Sequence, residues 1–232
     1  MSKLTSIFTY SIGKKLIMGL TGLFLITFLV MHLLGNLLLF SGPQAFSDYA
    51  HFMGTNPLIR IMEIILFAGF IFHIVDGLWL AKRNAAARPV KYARSSGNKN
   101  ASWFSKNMHW TGIVILTFLI LHLISFFFLG RFGVDLDVTG NQANYTSFDP
   151  EYQLYWKVIG HFQIWWYSAI YILAMIFMGF HLNHGFQSAF QTMGWVHPKL
   201  TPIVKATGTL YAVVISAAYA AIPLYFLIDY LV

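Results

Sequence analysis

The sequence predicts an all-α integral membrane protein, one domain over residues 1–232 that forms a bundle of five transmembrane helices. Of its 232 residues, 57% are hydrophobic and 10% are charged, and the mean hydropathy is +0.63, which is too apolar for an ordinary soluble domain. A hydrocarbon core of about 30 Å requires about 20 apolar residues per helix, and lipid leaves any open backbone unsatisfied. The segments that reach this length are 16–40, 58–81, 108–130, 160–186 and 206–231.

The charges of the connecting segments predict the orientation of the bundle. Residues 82–107, after the second segment, contain seven Lys or Arg residues and no acidic residue, whereas 131–159 contains four acidic residues. Lys and Arg are enriched in cytoplasmic connectors, so 82–107 and the amino terminus are expected inside and the carboxyl terminus outside. The expected location is the bacterial cytoplasmic (inner) membrane, crossed several times. The net charge of +7 is attributed to this topology and not to nucleic-acid binding.

Four of the segments each carry a histidine in their apolar interior: His32, His73, His122 and His181. The first and third segments run outward, which places His32 about 24 Å from the cytoplasmic start of its helix at about 1.5 Å per residue, and His122 at a similar height. By the same rise, His73 and His181 lie within about 12 Å of the cytoplasmic ends of their helices. We therefore expect an outer pair, His32 with His122, and an inner pair, His73 with His181.

An internal repeat accompanies the histidines. In the first and third segments, a Thr-Gly dipeptide precedes the histidine by eleven and ten residues, and in the second and fourth a glycine follows it by four. This pattern predicts duplicated helical hairpins over 16–81 and 106–186. The repeated residues are Thr21, Gly22, Thr111, Gly112, Gly77 and Gly185.

The paired histidines indicate sites for two haems, because two histidines at one depth can ligate one iron from opposite faces. The chain has no cysteine, so any haem is bound non-covalently and is of the b type. Glycines at positions 77 and 185 would leave room for a porphyrin edge. Thr21 and Thr111 lie at the depth of the inner pair, where they could hydrogen-bond the inner haem or its ligands. Alternatively, each histidine bonds only a neighbouring helix, and glycine and threonine serve helix packing.

Several polar residues near the inner surface are further candidates. His184 lies three residues after His181 and could replace it as a ligand or bond a haem propionate. His109, Lys14 and Lys15 could bind propionates of the inner haem, or they are ordinary cytoplasmic charges. Asp76 could relay protons or extend into the cytoplasm.

Over its whole length, the chain resembles the single-chain, five-helix, two-haem cytochrome b subunit (b558 type) of succinate dehydrogenases and fumarate reductases. The matching stretches are TGLFLITFLVMH (21–32), FHIVDGLWLAKRN (72–84), TGIVILTFLILH (111–122) and MGFHLNHGFQSAF (178–190). The resemblance implies two haem b groups and a membrane quinone, usually menaquinone, as electron partner. It also implies an iron–sulfur subunit and a flavoprotein subunit as partners, with no succinate chemistry in this chain. Part of the family has a glutamate where this chain has Gly179, which argues against a proton route there.

A quinone site is expected at the outer ends of the helices. Arg60 and Glu63 are one turn apart near the outer start of the second segment, with His51 and Tyr49 before them. Glu63 is the predicted acid or base, with His51 and His161, which opens the fourth segment, as partners. Alternatively, Arg60 and Glu63 form an ion pair that only anchors the helix.

Three other segments have predicted roles, and two other functions are alternatives to the one above. Residues 82–107 are expected to contact the iron–sulfur subunit, 41–57 to contain a short interfacial helix begun by Pro43, and the fifth segment to pack the bundle. The alternatives are the cytochrome b subunit of another respiratory complex, such as a hydrogenase or formate dehydrogenase, and a histidine-lined metal or proton transporter.

Overall fold

A computed structural model of the chain describes residues 11–86, 103–140 and 150–232. These ranges contain eight α-helices and no β-strand, which confirms the all-α prediction. One turn of π-helix, Leu123–Phe127, joins α4 to α5, and short 3-10 turns follow α1 and precede α6. The helices are α1 (Ser11–Leu37), α2 (Pro43–Thr55), α3 (Pro57–Ala86), α4 (Trp103–His122), α5 (Phe128–Phe132), α6 (Gln153–Phe162), α7 (Trp165–Thr192) and α8 (Leu200–Leu231).

Five helical spans in the described ranges are long and apolar enough to cross a membrane, as predicted. They are Gly13–Ser41, Pro57–Ala86, Asn107–Phe132, Trp165–Thr192 and Leu200–Leu231. The fourth span differs most from its prediction, because it begins at Trp165 and not at residue 160. Ile164 has an extended backbone (φ −84°, ψ 116°) that separates α6 from α7. The end of α6 is also apolar, so hydropathy alone joins it to α7.

The connector 41–57 forms the predicted short helix, with Pro43 in the first turn of α2. Pro suits this position because its missing N–H would be unpaired there anyway. Asn56 then begins α3: its Oδ1 accepts the backbone N–H groups of Leu58 at 3.0 Å and Ile59 at 3.4 Å. This side-chain cap satisfies two donors that the helix itself cannot pair.

The helices α1 and α7 lie at the centre of the bundle. Helix α1 packs against α3, α7 and α8, and α7 packs against α4 and α8. Tyr211 and Tyr219 of α8 donate hydrogen bonds to the carbonyl oxygens of Ile26 (2.6 Å) and Leu29 (2.7 Å) in α1. The fifth span therefore packs the bundle, as expected, and it is tied to the first by hydrogen bonds within the apolar layer.

Candidate functional site

The four interior histidines meet in two pairs. The ring centroids of His32 and His122 are 5.7 Å apart, and those of His73 and His181 are 6.2 Å apart. A metal ion held about 2 Å from one nitrogen of each ring would place two imidazole centroids about 6 Å apart. Both spacings fit a single ion between the rings. Each pair takes one histidine from each of the two predicted hairpins.

Threonine hydroxyls hold both inner histidines. Thr21 Oγ1 lies 3.3 Å from His73 Nδ1, and Thr111 Oγ1 lies 3.3 Å from His181 Nδ1. Each hydroxyl also contacts a carbonyl oxygen of its own helix, at 2.8 Å for Thr21 and 2.9 Å for Thr111. A hydroxyl has one proton, and each threonine donates it in a hydrogen bond to the carbonyl oxygen. The threonine oxygen can therefore only accept a hydrogen bond from the histidine Nδ1–H. The other ring nitrogen, Nε2, then keeps the lone pair that a metal requires.

Glycines beside these threonines make room for the histidine rings. A Cβ at Gly22 would lie 3.3 Å from His73 Cε1, and a Cβ at Gly112 would lie 3.6 Å from His181 Cε1. The sequence marks Gly22 and Gly112 only as members of the repeat. Their contacts show that the Thr-Gly dipeptide of one membrane-spanning helix contacts the histidine of the other membrane-spanning helix in the same hairpin.

The other repeated glycines face methionines. A Cβ at Gly77 would lie 3.4 Å from Met18 Cε, and a Cβ at Gly185 would lie 3.6 Å from Met108 Cε. Both methionines stand three residues before the Thr-Gly dipeptide, so they extend the repeat beyond the residues that the sequence analysis used. The porphyrin-edge role of the two glycines stays a prediction.

The outer pair has different surroundings from the inner pair. His122 Nδ1 lies 3.3 Å from the hydroxyl of Tyr171 in α7. The ring of His32 stacks on Phe28 and lies 6.1 Å from the ring of Tyr219 in α8. Sequence reasoning missed both tyrosines, and their only signal was a phenol inside an apolar segment. Helix α8 therefore contributes to the outer site although it carries no histidine.

Glu63 binds two arginines, one of which the sequence analysis did not find. Arg60 Nη2 donates to Glu63 Oε1 at 2.6 Å, and its Nη1 donates to Oε2. Arg131 of α5 brings its Nε to 3.5 Å from Glu63 Oε1. We call Arg60, Glu63 and Arg131 the Glu63 cluster. Glu63 precedes His73 by ten residues, so it lies about 15 Å further out along α3, near the depth of the outer pair.

The two histidines predicted to assist Glu63 lie elsewhere in the outer part. His51 is exposed on α2, and the charged partners of Glu63 among the described residues are the two arginines. His161 is fully buried near the end of α6, so it does not open the fourth span as predicted. Its Nδ1 donates to the carbonyl of Lys157 at 2.8 Å, and its ring lies 5.0 Å from that of Tyr167. Burial lowers the pKa of His161 to about 4.

Only some of the polar residues predicted near the inner surface contact one another. Lys14 Nζ lies 3.8 Å from Asp76 Oδ1 and 3.9 Å from the ring centroid of Trp79, which gives this lysine two partners within the protein. Lys15 and His109 are exposed. His184 is half-buried, one turn beyond His181. Propionate binding by these residues stays a prediction.

The fold and the site define a multi-pass membrane bundle with paired histidines at two depths. A comparison with curated proteins supports the expected resemblance: over 100 residues, the chain is 34% identical to the succinate dehydrogenase cytochrome b558 subunit of Bacillus subtilis (strain 168). The matched part covers 41% of this chain and 45% of that protein, so the chain matches less than half of its relative's length. Neither a family model nor a solved structure matches the chain.

Proposed function

We propose that the chain is the two-haem, b-type membrane anchor subunit of a succinate:quinone oxidoreductase. The observation that supports this most strongly is the pairing of His32 with His122 and of His73 with His181, with spacings that suit one iron per pair. The name of the Bacillus relative, a cytochrome b558 subunit of succinate dehydrogenase, supports the same assignment. In this role the subunit passes electrons between a membrane quinone and an iron–sulfur partner.

Haem, when bound, supplies reversible one-electron transfer, and the residues of the chain bind and orient it. Nε2 of the four paired histidines would bind iron, and Thr21 and Thr111 hold the proton on Nδ1 of the inner two. Glu63 and its arginines would bind the quinone head group and exchange its protons at the depth of the outer pair. Menaquinone is the proposed quinone.

The proposed location is the cytoplasmic membrane of a bacterium, with the amino terminus inside. Five membrane-length helices and the bacterial relative support a multi-pass protein of this membrane. The basic residues at 82–107, most of which lie outside the described residues, support a cytoplasmic position for the iron–sulfur and flavoprotein partners.

The relative also favours this assignment over the alternatives. Its name indicates succinate dehydrogenase and not a hydrogenase or formate dehydrogenase. For the transporter alternative, no group of three or more His, Cys, Asp or Glu side chains is arranged to hold a metal ion within residues 11–86, 103–140 and 150–232. The interior histidines there occur as pairs, which suits a cofactor with its own equatorial ligands.

The test of the proposed function is the haem content of the purified chain. A reduced-minus-oxidised spectrum with haem and iron quantitation should give two b-type haems per chain. A preparation from haem-replete cells with fewer than two would overturn the four-ligand scheme.

Single substitutions should then separate the two sites. His32→Ala or His122→Ala should each remove the same haem, and His73→Ala or His181→Ala the other. His197→Ala, at an exposed histidine between α7 and α8, is the control and should keep both. Loss of different haems within one proposed pair would contradict the pairing.

The quinone role of Glu63 needs a separate test. Glu63→Gln keeps the size of the side chain but removes its charge, so menaquinol oxidation by the assembled complex should fall at least tenfold while both haems remain. Asp48→Asn changes an exposed carboxylate of α2 and should leave turnover unchanged. Normal turnover in Glu63→Gln would leave the Glu63 cluster only an anchoring role.

A further inference from the structure

A chain of buried hydroxyl groups extends from the outer histidine His122. Its Nδ1 lies 3.3 Å from the Tyr171 hydroxyl, which lies 3.1 Å from the Tyr167 hydroxyl. Tyr167 bonds Ser125 Oγ at 2.7 Å, and Ser125 donates to the carbonyl oxygen of Leu121 at 2.8 Å. All three hydroxyl side chains are nine-tenths buried or more. Bulk solvent therefore does not compete for these hydrogen bonds.

The carbonyl at the end fixes the direction of every bond in this chain. A carbonyl only accepts, and each hydroxyl carries one proton. Ser125 donates its proton to the Leu121 carbonyl and can then only accept from Tyr167. The single proton of Tyr167 goes to Ser125, at 2.7 Å, and not to Tyr171, at 3.1 Å, so Tyr171 is left to donate to Tyr167. The lone pairs of the Tyr171 oxygen are then left for a donor, and the group that faces them is His122 Nδ1. The chain therefore favours the tautomer of His122 with a proton on Nδ1 and a lone pair on Nε2.

The backbone around Ser125 departs from the α-helix. Ser125 lies in the π-helical turn Leu123–Phe127, which begins directly after His122. Isolated π turns are rare and occur frequently at functional sites. This turn holds a fully buried serine three residues from the histidine, where it meets the phenol of Tyr167.

The hydroxyl chain belongs to the second hairpin alone. Tyr171 stands ten residues before His181, and the residue ten before His73 in the first hairpin is Glu63. The position of Ser125, three residues after His122, is taken by Gly35 in the first hairpin. The duplication thus keeps the threonine contacts of the inner pair but differs at the outer pair.

We propose that Tyr171 is a positioning residue for the outer site: backed by Tyr167 and Ser125, it accepts the Nδ1 proton of His122 and presents Nε2 to the iron. This inference rests on the proposed function, because it assigns a role toward the outer haem. The proposed role of Tyr171 is more than holding an iron ligand in place. An acceptor on Nδ1–H makes the imidazole a stronger base, and a stronger base favours the oxidised metal.

The test is the midpoint potential of each haem in Tyr171→Phe. This variant keeps the ring that packs against His122 and Phe118 but lacks the oxygen. We expect both haems to remain, the potential of the outer haem to rise, and that of the inner haem to stay unchanged. The outer haem is the one that His32→Ala removes. Tyr211→Phe is the control, because that phenol of α8 bonds the Ile26 carbonyl of α1 and not a histidine, and it should leave both potentials unchanged.

Two further variants keep the inference testable if Tyr171→Phe does not fold. Tyr167→Phe and Ser125→Ala leave the Tyr171 oxygen in place but remove the groups that orient its proton, so each should raise the outer potential by less than Tyr171→Phe. Unchanged potentials in all variants that retain haem would overturn the inference and leave the proposed function standing. A wild-type chain without haem would overturn the proposed function itself.

Discussion

At the scale of single residues, the two halves of the chain use the same three contacts around the inner histidines. In each half, a threonine accepts from the histidine of the next helix, the glycine beside it faces the ring, and a methionine faces the glycine four residues after that histidine. Spacing in the sequence identified the threonines and glycines of the repeat but not the methionines. It could not show that the threonine of one helix contacts the histidine of another, because spacing within one helix does not fix how neighbouring helices are rotated.

The threonine contacts predict a specific effect of valine. Thr111→Val keeps the shape of the side chain but removes the acceptor for Nδ1–H of His181, a loss of about 1 kcal/mol for a typical hydrogen bond. Thr21→Val should have a smaller effect, because His73 also bonds the backbone of Met18. We expect the inner haem to be released at a lower denaturant concentration and its midpoint potential to rise, as followed by spectroscopic titration.

The chain supplies matched controls for these substitutions. Thr27 and Thr117 each lie six residues further along the same helix and are exposed. Their hydroxyls donate to backbone carbonyl oxygens of their own helix. Thr27→Val and Thr117→Val should leave the inner haem unaffected. An equal effect of all four valines would mean that the threonines act through their helices and not through the histidines.

His161 predicts how stability responds to acid. Its pKa is about 4 in the folded chain because burial disfavours the charged ring, whereas the pKa of a histidine in the unfolded chain is about 6.5. Between these values the unfolded state binds more protons, so stability should fall as the pH decreases from about 6.5 toward 4. His161→Asn keeps a donor but does not titrate, so its melting temperature in detergent should depend less on pH over this range. Parallel curves for the two proteins would contradict this account.

At the scale of elements, hydropathy predicted the number of spans but not where the fourth begins. The residues before Trp165 are apolar because α6 is buried against protein, and a hydropathy average does not distinguish burial in protein from burial in lipid. The sequence also does not predict the π turn after His122, because none of its residues is a strong helix breaker. Arg131 reaches Glu63 from a different helix, α5, so no spacing within one helix predicts this contact.

The close packing of α7 on α8 yields a stability prediction. A Cβ at Gly179 would lie 3.1 Å from Ser216 Oγ, so Gly179→Val should separate the two helices and lower the melting temperature in detergent by several degrees. Ala169→Val adds a similar bulk on an exposed face of α7 and should leave the melting temperature unchanged. Equal melting temperatures for both variants would show that the α7–α8 contact tolerates a larger side chain. The glutamate that part of the family carries at this position would likewise have to displace the Ser216 side chain.

At the scale of the whole molecule, the fold class, the number of spans and the two histidine pairs could be read from one sequence. The length of each apolar segment predicts the helices, and the predicted helix direction gives the depth of each residue. The Glu63 cluster and the Tyr171 hydroxyl chain could not be predicted fully, because their members come from separate helices and follow no common spacing.

The proposed orientation can be tested with single cysteines, because the chain has none of its own. Val134→Cys, in the exposed segment after α5, should react with a membrane-impermeant maleimide in intact cells. Lys199→Cys, exposed between α7 and α8, should react only after the membrane is permeabilised. The reverse labelling pattern would invert the predicted topology.

The distribution of each histidine pair over the two hairpins has a consequence for biogenesis. His32 and His73 lie in the first half of the chain, and His122 and His181 lie in the second. Each bound iron would therefore cross-link the halves, one near each surface of the bilayer. In a cell short of haem, the two hairpins would lack these cross-links and would depend on side-chain packing and on the hydrogen bonds of α8 to α1. The cofactor supply would then govern how much of the newly made subunit matures and escapes membrane proteases.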